Sequence, residues 1–169
     1  MRPLRPVVLD NTVLSNFSLV RRSDLIGLIW GDAVGTTAAV RIEHEAGVAA
    51  GRLPAGDWQD LPTFGMTADE LAIANALPGR LGAGERTCLA VALYRGGLLV
   101  TDDRDARTLA ERKGLAVSGT LGVLLRAVRR GYLAHETANV LLEEMVAGGY
   151  RSPVASLDEL VGGSEADGG

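Results

Sequence analysis

The sequence predicts an α/β domain, a parallel sheet covered by helices on both faces. Three observations lead there. Short apolar runs alternate with stretches of helical spacing along most of the chain, Gly or Pro closes most of those stretches, and the two clearest apolar runs each deliver a carboxylate. At 169 residues the chain has the size of one ordinary domain. It is read as a single domain over residues 1–161 followed by a disordered acidic end, 162–169.

The first run, Pro6-Val7-Val8-Leu9, stops at Asp10, and apolar positions 13, 14, 17 and 20 then follow at helical spacing. Ser23-Asp24 precede a second short helix closed by Gly31. Residues 33–36 make a weak strand, and the helix after it is expected to bury Ala39, Ile42, Ala46 and Ala49. Pro54, Gly56 and Pro62 mark a loop. Thr67 with Glu70 has the form of a capping box, and Pro78-Gly79 end the helix it opens.

Gly84-Glu85 open a helix that Gly96-Gly97 close, and Leu98 to Thr101 run as a strand into Asp102-Asp103. A helix to Lys113, a strand at 115–117 and a helix over 119–130 continue the alternation. Two closing helices are expected over 135–147 and 153–161, the latter with Ser152 as cap and Pro153 at its first position.

Composition excludes several classes. Hydrophobic residues are 47% and charged residues 22%, proportions of a globular chain rather than a disordered one. The longest stretch without a charged residue, 114–125, is too short to cross a membrane, and the N-terminal apolar run is too short for a secretory signal, so a cytoplasmic location is expected. With Cys88 the one cysteine, neither an internal disulfide nor a cysteine-built zinc site can form. The net charge of −4 belongs to the end of the chain, where Asp158, Glu159, Glu165 and Asp167 meet no base. Between Arg104 and Arg130, seven bases face two acids, a local excess suited either to a polyanion or to solvated helix faces.

In a parallel sheet, ligands bind beyond the carboxyl ends of the strands. Asp10 and the pair Asp102-Asp103 stand at such ends, and Glu85, one turn before Leu89, points its carboxylate inward. Glu43 and Glu45 flank one helix, and periodicity does not choose between them. Each acid alone reads more readily as a helix cap or a first-turn charge, and the conjunction is what points to a site. Their convergence would be unfavourable without a cation, and an all-oxygen set suits Mg²⁺ or Mn²⁺. Such a metal supports attack of water on a phosphodiester. His44 and His135 are expected at the surface, and Trp30 and Trp58 in packing.

Asp10-Asn11-Thr12-Val13-Leu14-Ser15-Asn16, Val40-Arg41-Ile42-Glu43, Leu81-Gly82-Ala83-Gly84-Glu85, Leu99 to Arg107 and Gly119 to Leu125, in that order, resemble the PIN-domain ribonucleases. They look like the VapC-type toxins of toxin–antitoxin pairs, in the longer group with Gly-Glu and a doubled Asp. The resemblance implies a PIN-like three-layer α/β/α sandwich. It also implies Mg²⁺ or Mn²⁺ on Asp10, Glu43, Glu85 and one or both of Asp102 and Asp103, with Asp103 at the usual Thr-x-Asp spacing. Thr12 and Asn16 would support the first acid by hydrogen bonds. RNA is then the substrate, with Arg104, Arg107 or the 126–130 cluster on flanking phosphates, and a cognate antitoxin and a homodimer are the implied partners. The segment from Ala50 to Arg80 exceeds that of the shortest VapC toxins.

Two other readings are weighed beside this one. A haloacid-dehalogenase-type phosphatase also begins with strand and Asp, but needs a second Asp where Thr12 stands and a Lys before the late acids, whereas Lys113 follows them. A PIN-like fold kept for binding RNA or a partner, with metal affinity lost, is the non-enzymatic alternative.

Overall fold

The structure, a computed structural model, describes residues 5–161. Its sheet is built from β1 (Val7–Leu9), β2 (Val34–Gly35), β3 (Leu98–Val100) and β4 (Ala116–Ser118), in the order β2-β1-β3-β4 with every pair parallel. Val7 pairs with Val34 on one side and Leu98 on the other, and Leu98 in turn with Ala116. After β1 the chain goes to β2 on one flank and then crosses to β3 on the other. The switch point of the sheet therefore falls between β1 and β3, where the end groups of two strands are left open to a ligand.

The helices are α1 (Asn11–Leu19), α2 (Asp24–Trp30), α3 (Ala38–Ala49), α4 (Ala68–Ala76), α5 (Ala83–Arg95), α6 (Arg104–Arg112), α7 (Thr120–Arg129), α8 (His135–Ala147) and α9 (Asp158–Val161). They cover both faces and complete the expected three-layer α/β/α arrangement, with α5 packed on β1 and β3, and α3 on α1 and α5. On the same terms α7 packs against α2 and α8. The core is aliphatic: Val8, Leu9, Val13, Phe17, Leu89, Val100 and Leu124 are fully buried. Among the described residues no helix is long and apolar enough to cross a membrane. The end at 162–169 lies outside the described residues.

Local chemistry sets the element ends. Thr67 and Glu70 close the expected capping box at α4, and Gly97, whose missing side chain would overlap the Pro6 carbonyl, lets β3 start directly beside β1. The 50–66 segment is irregular but tightly held. The Trp58 indole donates to Ser18 Oγ at 2.7 Å, Thr36 bridges to Thr63, and the Arg41 guanidinium donates to Thr63 Oγ and to the carbonyls of Trp58 and Leu61.

Three expectations are corrected. The buried face of α3 is Val40, His44 and Gly47, while Ile42 is 68% exposed. Alanine on both sides of this helix leaves the apolar stripe undecided, and Thr37, capping through the Val40 N–H, sets the roll. His44 is thus buried rather than at the surface. Only Asp158–Val161 of the last expected helix forms, because Ser152 Oγ accepts from Val154 N–H in a local turn and Asn139 takes the Leu157 N–H at 2.9 Å.

Candidate active site

Asp10 follows β1 directly, and its backbone N–H donates to the Val100 carbonyl at 2.9 Å, so the ends of β1 and β3 are locked together. The carboxylate is 1% exposed. It accepts from the Asn11 N–H at 2.8 Å and the Thr101 hydroxyl at 2.7 Å, with the Thr12 hydroxyl at 3.5 Å. Thr101 Oγ also accepts from the Asp103 N–H at 3.1 Å, so one hydroxyl at the end of β3 ties the first acid to the last. Asp103 caps α6 by accepting from the Ala106 N–H at 2.8 Å. Asp10 and Asp103 are thus caps as well as members of the acidic group.

Glu43 projects from α3 and accepts from the Gly84 N–H at 3.0 Å. A side-chain carbon on Gly84 would lie 2.8 Å from its carboxylate oxygen, and one on Gly82 would meet the Glu85 carboxylate. The two glycines of Leu81-Gly82-Ala83-Gly84-Glu85 therefore leave the space that the two glutamates occupy. Glu85 Oε2 is buried without a hydrogen-bond partner. Periodicity left Glu43 and Glu45 equal; here Glu43 faces the acids and Glu45 is exposed.

Burial pushes the Asp10 carboxyl up to about 7, and the nearby charges of Glu85 and Glu43 add to the rise against the opposing Thr101 and Asn11 bonds. Glu85 is likewise raised, first by burial and then by Glu43 and Asp103. The charges of Glu85 and Glu43 thus bear on Asp10, and those of Glu43 and Asp103 on Glu85. Asp102 stands apart. Burial raises it too, but the groups that act on it are Thr120, Arg107 and Asn16. Its Oδ1 accepts from the Thr120 N–H at 2.8 Å and its Oδ2 from the Thr120 hydroxyl and the Asn16 amide at 3.2 Å.

Asn16 thus supports Asp102 rather than Asp10, since one turn and a half of α1 carries it past the first acid toward α7. Thr12 does reach Asp10, and also accepts from the Asp102 N–H at 3.0 Å. Among the bases, Arg104 lines the cleft beside the acids. Arg107 instead turns back to the Thr101 carbonyl at 2.9 Å. Arg126 donates to Ser118 Oγ at 2.7 Å and lies over the Trp30 ring, and Arg130 donates to the Ile29 carbonyl, so two of the three arginines in the 126–130 cluster serve packing. His135 pairs with Asp158, away from the acids.

Sequence reasoning missed Thr101, Gly84 and Thr120 as contacts of the acids. Thr101 had a signal, a hydroxyl at the end of the central strand two residues before Asp103. Among the described residues, no group of three or more His, Cys, Asp or Glu side chains is gathered as a ready ligand set. Carboxylates without a base among them and the unpartnered Glu85 oxygen nevertheless have the chemistry of a hard-cation site.

The domain is a three-layer α/β/α sandwich whose strand-end acids stand on the switch-point side of the sheet. A family model described as a PIN domain matches residues 6–163. The chain belongs to the PIN-domain family, as its motifs indicated. PIN domains are, as a class, nucleases, so the fold is a nuclease fold and nucleic acid the substrate class it implies. Comparisons with curated proteins and with solved structures returned no match.

Proposed function

We propose that the chain is an endoribonuclease dependent on Mg²⁺ or Mn²⁺, acting in the cytoplasm as the toxin of a toxin–antitoxin pair, as a homodimer restrained by a cognate antitoxin. The observation that supports the nuclease reading is the buried, unpartnered Glu85 oxygen beside Glu43 and Asp103, with Glu43 and Glu85 in turn near Asp10. These four residues would hold the cation. Bound there, it would supply an activated water and offset charge on the leaving oxygen. Thr101 orients Asp10 and fixes the turn of Asp103, while Gly84 N–H orients Glu43. Asp102, with both oxygens engaged, would position Thr120 and Asn16 rather than ligate.

Wild type incubated with a mixed RNA pool and Mn²⁺ is expected to cut, and EDTA to stop it. Asp10→Asn, Glu85→Gln and Asp103→Asn should each lose more than about a hundredfold, since even outer partners of a metal are worth ten- to a hundredfold. A second reading, the PIN fold kept for binding, has in its favour the lack of a ready ligand set among the described residues. It predicts no cutting by wild type and no thermal stabilisation by Mn²⁺.

Gly84→Ala separates site from scaffold. Its backbone accommodates alanine, and the helix should gain up to about 1 kcal/mol, but the new methyl pushes the Glu43 carboxylate. Mn²⁺ affinity, read from metal-dependent thermal shifts, should fall about tenfold while the metal-free protein is no less stable. An unchanged affinity would remove Glu43 from the ligand set.

A further inference from the structure

The cleft beside the acids, about 690 Å³, continues past them to two turns that carry arginines. Arg52 follows α3 and Arg151 follows α8, and with Arg104 they line the same cleft as Glu43, Asp102 and Asp103. Both turns are built alike. Gly51 (φ 74°) and Gly149 (φ 113°) take left-handed backbone, and the Arg52 and Tyr150 N–H groups donate to the carbonyls of Gly47 and Met145 at 3.0 and 2.9 Å. Each arginine is therefore presented from a fixed helix end. Among the described residues the guanidiniums of Arg52, Arg104 and Arg151 make neither an ion pair nor a hydrogen bond, whereas those of Arg41, Arg95, Arg107 and Arg126 are bonded within the fold. The half-buried Tyr150 ring lies in the same wall.

We infer that single-stranded RNA enters this cleft, with Arg52 and Arg151 holding phosphates next to the acids and the Tyr150 ring meeting an unstacked base. Guanidiniums pair with phosphate oxygens through two parallel hydrogen bonds. A duplex keeps its backbone on a convex surface, whereas a single strand can enter a concave site and splay its bases onto an aromatic ring. The assignment rests on the nuclease reading of the neighbouring acids.

The test measures binding of a short labelled single-stranded RNA to full-length Asp103→Asn protein without metal, across a salt series. Asparagine keeps the α6 cap. In that background Arg52→Ala and Arg151→Ala should each weaken binding about fivefold and flatten the slope of log affinity against log salt by about 0.7. Lysine at either position should restore most of the slope, and Arg112→Ala, on α6 away from the cleft, should match the parent. Parent-like binding by the two alanine variants, an equal loss in Arg112→Ala, or equal affinity for the matching duplex would overturn the inference. Cleavage is read separately with Asp103 intact. RNA held through Arg52 and Arg151 but never cut in Mn²⁺ would defeat the nuclease reading alone, and cutting with unchanged KM in both alanine variants would defeat this inference alone.

Discussion

Asp10→Asn is expected to stabilise the metal-free protein at pH 8 and to abolish the proposed Mn²⁺-dependent cleavage. Asp10 titrates near 3.8 when unfolded and near 7 in the fold. A raised carboxyl makes the folded state bind its proton more tightly, so stability is highest below pH 4, falls as pH rises through 7, and levels off above it. Each pKa unit corresponds to about 1.4 kcal/mol, which bounds the cost of the buried charge at about 4 kcal/mol. Asparagine removes the charge but gives back part of the gain through its weaker bonds to Asn11 and Thr101. Urea unfolding should show the variant about 2 kcal/mol more stable at pH 8 and within about 0.5 kcal/mol of wild type at pH 4. Saturating Mn²⁺ should reverse the order at pH 8, because a ligand at a hundred times its Kd adds about 2.7 kcal/mol to a protein that binds it. A variant less stable at both pH values would mean that Asp10 is a structural cap alone.

Glu70→Ala carries the largest expected stability loss, about 2–3 kcal/mol at pH 7. Glu70 is fully buried, accepts from the Arg95 guanidinium at 2.6 and 3.0 Å, and caps α4 through the Thr67 N–H at 2.8 Å. Its removal breaks the box and leaves Arg95, which also donates to the Gly65 carbonyl and lies over the Phe64 ring, without its counter-charge. Arg95 keeps 29% of its side chain in water, which moderates the loss. The Arg95 bond, outweighing burial, holds the Glu70 carboxyl below its ordinary value, so this contribution is present above pH 4.5 and lost as pH falls through the lower folded value. Denaturant unfolding of wild type and variant should therefore converge in acid. Equal loss at every pH would assign the effect to the helix cap rather than the ion pair.

Much of the fold was legible because its strongest signals are local. A run of three apolar residues ending in Asp, or Thr67 with Glu70, reads the same in sequence and in three dimensions. The roll of α3 was not legible, since alanine fits either face and the decision came from Thr37 and from packing on α1 and α5. The acids at strand ends were legible from topology, because a parallel sheet puts such ends on one side. What joins them was less so. Asn16 meets Asp102 and Thr120 across more than half the chain, and no spacing rule records which of two neighbouring acids an amide will reach. Arg52 and Arg151 are isolated arginines in turns, and only the path of the chain brings both to one cleft.

Arg41 sits two residues before Glu43 on α3 and grips Trp58, Leu61 and Thr63 in the outer segment. That segment is consequently a brace on the helix that aims Glu43, with Arg52 at its near end. Lengthening or trimming the chain between Trp58 and Thr63 would break the bonds by which Arg41 ties it to α3. Through those bonds the outer loop is fastened to the same helix that carries Glu43, two residues along from its anchor.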